Sequence, residues 1–320
     1  RYDFSHIDAY KYYRTSLWEA RNYDELFPEF IVEDLGLNTL TNPKFDFNNI
    51  SSNLGIKYSF NNSENIFFNY SMSSRKPNPS ELFSEGLHHS SARIEIGDLS
   101  FNSEVGHNFS LTYDSSNEKS SLIVNTFANI VDDFIYMIPV DLMPTIAGVF
   151  PYWEYKQEDA KLFGFDVKYD RQYFTNFFIG HQFSIIKGYE RANNKPLINM
   201  PPVNLKNQIS YSFPELNNLN VSLESEYVFR QNEYPNNNFE VFIPTDDTYT
   251  TLDTSTPPGA YHLLNFASSI GFKAENSGNY KINLRIENLL NNLYKNYLNR
   301  LRYFTHEMGR NILISVSYNY

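Results

Sequence analysis

The stretch SELFSEGLHHSSARIE, residues 80 to 95, gathers Glu81, Glu85, His88, His89 and Glu95 in one polar segment. Imidazole nitrogens and carboxylate oxygens are ligands that suit zinc, and adjacent histidines with acidic neighbours can supply two or three of its four positions. RYFTHEMGR, residues 302 to 310, adds His306 and Glu307. The candidate metal ligands are therefore Glu85, His88, His89, Glu95, His306 and Glu307. The competing reading is a pair of polar loops whose histidines face water or hydrogen-bond locally. Aromatic clusters such as FPEF, PYWEY and RYF offer different chemistry, because flat side chains could grip a siderophore or haem by stacking, or simply pack loops together.

Covalent catalysis has less footing. The sequence holds no Gly-x-Ser-x-Gly, no His-Glu-x-x-His and no phosphate-cradling glycine loop. A lipid hydrolase built into a β-wall would need a Ser/His pair on neighbouring strands, for which His107 and His181 are the candidates. We expect no catalytic residues, no resident cofactor and no enzyme. With 37 Asp and Glu against 26 Lys and Arg, the net charge is -11, which excludes nucleic acid as a partner and favours cations at the surface. The absence of cysteine excludes disulfides and thiolate metal sites.

The elements that must position these residues are strands. Apolar residues recur at every second position in many segments, among them Leu54, Ile56, Tyr58 and Phe60; Ile66, Phe68, Tyr70 and Met72; Phe163, Phe165, Val167 and Tyr169; and Leu219, Val221, Leu223 and Tyr227. Between them lie polar residues such as Asn220, Ser222, Glu224 and Glu226. With weaker segments near 1 to 12 and 120 to 137, this predicts about 12 strands, most about 10 residues long, the length a tilted membrane strand requires. No run approaches the ~18 apolar residues of a membrane helix, but that test is blind to strands that alternate. The aromatic content, 25 Tyr and 27 Phe, would furnish two interfacial girdles.

Short turns and long connections alternate along the chain. NNSEN, DSSNEK, DRQYFT, PELNN and AENSGN are short turns, while roughly 13 to 45, 75 to 103, 138 to 152, 187 to 203, 231 to 260 and 289 to 309 are long. A soluble sandwich would mix lengths at both ends, whereas a transmembrane barrel keeps short turns on one side. The expected fold is all-β, a transmembrane antiparallel β-barrel, with a soluble sandwich or solenoid as the alternative.

Three segments carry a resemblance to TonB-dependent outer-membrane receptors. RIENLLNNLYKNYLNRLRYFTHEMGRNILISVSYNY (285 to 320) resembles the family's C-terminus, with its NLLN..Y stretch and a GRN leading into the last strand. Residues 69 to 113 resemble its mid-barrel segment, in which Arg-x-Pro and Glu-Leu follow one strand and Gly-Asp and Glu precede the next. YEYKQEDAKLFGFDVKYD (155 to 170) resembles a later strand with a glycine followed by an acid. Within the family, ELFSEGLHH and the stretch from YVFRQNEY to PPGAYHLLNF look most like outer-membrane zinc receptors.

The resemblance implies an outer-membrane location with long loops outside the cell. It also implies transport of a scarce metal nutrient, zinc before an iron complex, driven through an inner-membrane TonB complex. Such receptors have about 22 strands and a plug. Residues 1–320 are expected to be the C-terminal part of the barrel, with plug, TonB-contacting segment and signal peptide upstream of residue 1. The passive or structural barrel is the alternative of another class. The chain ends in an alternating strand closed by Tyr320, which resembles the signal read by the barrel-assembly machinery. The expected partners are outer-membrane lipid, that machinery, the TonB complex and a metal or metal complex.

Overall fold

The computed structural model describes residues 1–10, 12–14, 21–34, 39–273 and 278–319. Five strands lead in: β1 (Tyr2–Asp8), β2 (Tyr12–Arg14), β3 (Ile31–Asp34), β4 (Thr39–Thr41) and β5 (Lys44–Ile50). β6 (Ser52–Ser59) and β7 (Glu64–Arg75) follow, then β8 (Glu85–His88) and β9 (Arg93–Ile96) within a connection. A meander continues through β10 (Glu104–Ser116), β11 (Ser120–Thr145), β12 (Gly148–Tyr173), β13 (Phe177–Glu190), β14 (Asn204–Phe213) and β15 (Leu219–Val228). After the hairpin of β16 (Phe239–Ile243) and β17 (Thr248–Leu252) come β18 (Tyr261–Lys273), β19 (Asn279–Glu287) and β20 (Asn311–Asn319).

The principal sheet runs β20-β19-β18-β15-β14-β13-β12-β11-β10-β7-β6, each strand antiparallel to the next. β1 pairs with β5, which only Ser51 separates from β6. Counting β5 and β6 as one run, the wall comprises β1, that run and the ten strands from β7 to β20 on the path, twelve in all as the alternation predicts. β6 and β20 end the path, so the described residues form an open section of barrel wall.

Register explains why the wall is two-faced. Tyr58, Ile66, Tyr113, Val124, Val167, Phe183, Leu205 and Tyr227 stand opposite one another in a single row. Ile209, Leu223, Phe266, Ile286 and Ile312 make another. The alternate positions give a polar row, Thr112, Asn125, Asp166, Ser184 and Asn204. Cross-strand bonds such as Thr112 Oγ1 to Asn125 Oδ1 (2.8 Å) and Asn265 Nδ2 to Glu224 Oε1 (3.0 Å) satisfy that face. On the apolar face Leu54, Ile56, Phe109, Phe163, Ile209 and Ile314 stay exposed. An apolar surface of that extent belongs against lipid rather than water. Aromatic contacts mark its short-turn rim, with Tyr58 and Phe60 at 5.0 Å, Tyr211 and Phe213 at 4.5 Å, and Tyr280 and Tyr318 at 4.7 Å.

One expectation fails. Residues 138 to 152, expected as a long connection between strands, are themselves strand, because β11 and β12 each run 26 residues and meet at the turn between Thr145 and Gly148. Register shifts between Val131 and Phe134 and between Pro139 and Asp141 move the apolar residues to the other face, which erases the period of two. Two short helices, α1 (Tyr23–Leu26) and α2 (Pro79–Phe83), also escape sequence reading, being too brief to show a helical period.

The glycine of the FGFD stretch has a packing reason. A Cβ on Gly164 would lie 2.4 Å from the Phe127 ring and 2.8 Å from the Ile185 carbonyl oxygen. Gly164→Val should cost about 1 to 3 kcal/mol by overpacking, read as a lower unfolding temperature of the detergent-solubilised receptor. Combining it with Phe127→Ala should return only part of the loss, since the clash with backbone remains. No change in the single variant would refute the packing role.

The Arg-x-Pro, Glu-Leu, Gly-Asp and Glu pattern of residues 75 to 104 folds into a latch at the long-connection end. Arg75 Nε meets Glu104 at 2.6 Å and its Nη1 meets Glu81 at 2.9 Å. Glu81 also closes a capping box with Asn78 on α2. Leu82 is fully buried, and a Cβ on Gly97 would sit 2.6 Å from the Glu81 carbonyl oxygen. Glu104 Oε1 accepts the Ile135 amide at the β11 register shift (2.5 Å). Asp98 accepts from the Tyr23 hydroxyl (2.8 Å) and pairs with Arg21. Burial alone would raise the Asp98 carboxyl, but bonds from Ser100 and Tyr23 with the Arg21 charge hold it below the ordinary range. An aromatic core of Tyr23, Phe30, Phe47, Leu82, Leu99 and Phe101 fills the space between these connections.

Candidate functional site

The proposed metal ligands do not gather. Glu85 and His88 lie on β8, opposite Ile96 and Arg93 of β9. His88 Nδ1 is within hydrogen-bond distance of Ser90 Oγ (3.1 Å) and Ser91 Oγ (3.0 Å), and His89 is exposed on the next turn. Glu95 is only 4% exposed and takes Arg93 Nε at 2.7 Å. A carboxylate held there is already neutralised. His306 is exposed, and Glu307 accepts from Asn299 Nδ2 at 2.5 Å. Among the described residues no three His, Asp or Glu side chains are grouped as a metal site. Tyr320 lies outside the described residues.

The histidines considered for hydrolysis bond elsewhere, His107 to the Tyr70 hydroxyl (2.9 Å) and His181 to Asn207 Oδ1 (2.7 Å). Sequence reading missed that Ser225 Oγ meets His262 Nε2 at 2.8 Å across neighbouring strands. No described side chain orients the other ring nitrogen, so the pair stops short of a nucleophile with an oriented base.

The long connections instead build two adjoining cavities. The segment after β13 folds onto the polar face, burying Leu197 and Met200 against Ala160, Leu162 and Ile186. Gly188 allows this approach, since a Cβ there would lie 2.7 Å from the Met200 sulfur. Beneath this segment and the connection before β20 is a cavity of about 390 Å³, lined by Asp166, Ser184, Asn204, Glu226, Tyr261 and Asn296 among others. Leu298 also borders a second cavity of about 340 Å³, lined by Arg93, Tyr136, Trp153, Tyr155, Asn199 and Arg300. The Arg93 guanidinium lies 4.6 Å over the Trp153 ring.

Charge differs between the two. The first has Asp166 and Glu226, the latter bonded by Asn204 Nδ2 (2.6 Å) and Lys206 Nζ (3.3 Å). The second has three aromatic rings and two guanidiniums, of which Arg93 is already paired with Glu95 behind the lining and Arg300 is not paired with a described carboxylate. Beside it Arg302 is buried between Tyr297 and Tyr303, 4.5 and 4.6 Å from their ring centres. Burial pushes both phenols above their usual range, the Arg302 charge pulling the other way. Such a pocket can take a flat, negatively charged molecule by stacking and charge-assisted hydrogen bonds. Trp153 and Tyr155 of PYWEY signalled it in sequence, whereas the aromatics of RYF lie beside it and not on its lining; Arg93 and Arg300 carried no signal of their own.

Known proteins share this wall. The copper transporter OprC superposes with a TM-score of 0.67 at 15% identity, over 86% of this chain and 40% of that one. The siderophore receptor PirA from Acinetobacter baumannii gives 0.58 at 14%, over 86% and 42%. The ferripyoverdine receptor of Pseudomonas aeruginosa, bound to ferripyoverdine, gives 0.57 at 13%, over 88% and 34%. This chain thus spans well under half the length of each, and at such identities the likeness concerns the fold. No curated protein sequence matches the chain. The family described as TonB dependent receptor-like, beta-barrel matches residues 1–289, and the chain belongs to that family.

Proposed function

We propose that this chain forms part of the wall and the ligand-capturing connections of an outer-membrane receptor that imports a metal nutrient as an anionic chelate. On this reading the long connections face outside the cell. Plug and TonB-contacting segment are contributed upstream of residue 1, as in longer family members, and the wall itself performs no covalent chemistry. The observation that carries the choice of cargo is the cavity of Arg300, Trp153, Tyr136 and Tyr155, whose described lining has no carboxylate or imidazole and whose other guanidinium, Arg93, is paired with Glu95. It suits a complex whose metal is already wrapped in anionic, aromatic or carboxylate donors. A bare zinc ion is the second reading, favoured by the adjacent His88 and His89 with Glu85 nearby on the same segment.

Titration of the full-length receptor separates the two. Arg300→Ala should weaken binding of a ferric catecholate or ferric carboxylate chelate about tenfold, about 1.4 kcal/mol, and leave zinc chloride titration unchanged. His88→Ala with His89→Ala should leave chelate binding unchanged. Zinc binding by wild type that the double histidine variant loses tenfold would transfer the assignment to zinc. Unaltered chelate binding in Arg300→Ala would remove the chelate reading.

A further inference from the structure

Three long connections are joined through one side chain and its neighbour, Arg302 and Tyr303. Arg302, in the connection between β19 and β20, donates through Nη1 to Asn199 Oδ1 (3.0 Å) in the connection after β13. The same nitrogen donates to the Tyr297 carbonyl oxygen, and Nη2 donates to the Tyr303 hydroxyl at 2.7 Å. Tyr303 passes the contact on, its hydroxyl donating to the Thr254 carbonyl oxygen (2.9 Å) in the connection between β15 and β18. Thr254 is buried and donates through Oγ1 to the Asn237 carbonyl oxygen (2.8 Å), so the second connection is gripped where it is itself tied together.

Arg302 is 6% exposed, and its acceptors among the described residues, Asn199 Oδ1, the Tyr297 carbonyl and the Tyr303 hydroxyl, are all neutral. Among the described residues no carboxylate is paired with it, and its buried Nε has no acceptor. A cation left in this state keeps most of its desolvation cost and has only neutral dipoles and two ring faces to offset it. Opening the connections would return it to water. The closed arrangement is therefore held by several bonds through one residue and opposed by that residue's charge.

We propose that Arg302 is a clasp that makes the three connections 191–203, 229–260 and 288–310 open and close together as one cover over the cavities. Asn199 lines the basic cavity and Asn296 the acidic one, so two of the three connections that the clasp unites also wall the cavities, while 229–260 is tied to them from outside the lining. The clasp stands independently of which cargo the cavities take. The connection 76–103 is outside it, fastened instead by Arg75, Glu81 and Glu104.

Hydrogen–deuterium exchange on the full-length receptor tests the coupling. Arg302→Lys keeps the charge and loses the planar fork that reaches Asn199 and Tyr303 at once. Exchange should rise about tenfold or more, as for the loss of a charge-assisted bond of at least about 1.4 kcal/mol, in peptides from all three connections and stay unchanged in 76–103. Tyr303→Phe removes only the hydroxyl, and should raise exchange in 229–260 although the substitution lies in 288–310. Acceleration confined to 288–310 in both variants would overturn the proposal, as would an equal rise in 76–103, which would mean general loosening. If Arg302→Lys does not assemble, Tyr303→Phe decides alone.

Discussion

Leu223→Arg should cost the assembled receptor about 2 to 4 kcal/mol, whereas Ser222→Arg should be tolerated. Leu223 stands in the apolar row with Ile209, Phe266, Ile286 and Ile312, while Ser222 is paired with Ser210 and Ala267 on the opposite face. A guanidinium on the lipid side near the middle of the strand has no water and no free backbone acceptor beside it, since β15 is paired around Leu223 with both β14 and β18. On the other side it faces polar neighbours such as Glu224 and Asn220 two positions away. The measurement is the fraction of full-length receptor that folds into bilayers, scored by resistance to unfolding in detergent before heating. Equal yields for the two variants would refute the assignment of faces, and with it the barrel orientation of this wall.

Arg75→Ala should be nearly as severe, at about 2 to 4 kcal/mol. It would leave the Glu81 and Glu104 side chains, 9% and 11% exposed, without their shared cation. Breaking a fully buried pair costs about 3 to 5 kcal/mol; the lower range reflects an Arg75 side chain that is 44% exposed and so partly screened. The origin of the loss is testable, because neutralising the stranded acids should rescue it. Glu81→Gln and Glu104→Gln in the Arg75→Ala background should recover a measurable part of the stability in thermal unfolding. The glutamine at 104 keeps an oxygen for the Ile135 amide. An undiminished unfolding temperature in Arg75→Ala would show that the latch adds nothing.

The wall was legible because lipid and lumen impose opposite chemistry on alternate residues. Leu219, Val221, Leu223 and Tyr227 against Asn220, Ser222, Glu224 and Glu226 divide into two faces by alternation alone, and the register has the same division. The alternation of short and long connections was equally plain, because the Asn and Ser residues that close tight turns bond their own backbone locally. Asn117 accepts from the Lys119 and Ser120 amides in this way. Legibility failed where the rule is broken by design of the chain. Pro139, Pro144 and the two register shifts hid the upper half of the β11–β12 hairpin, because each shift exchanges the faces.

Composition and local pattern thus determined the strands, their faces, the turns and the absence of a catalytic motif. Tertiary structure alone decided the site. Glu95 reads as a zinc ligand until Arg93, two residues away, is found bonded to it on one strand. Arg93, Trp153, Asn199 and Arg300 come from four separate stretches of the chain and share a cavity only because the connections fold over the wall. Arg302 looks like any loop arginine in sequence, and its contacts with Asn199 and, through Tyr303, with Thr254 span 103 and 48 residues of separation. Periodicity reports what each residue's solvent must be, which is a local property of a strand in a bilayer. Which distant side chains meet in a cover of irregular connections depends on packing between segments, and no local pattern encodes it.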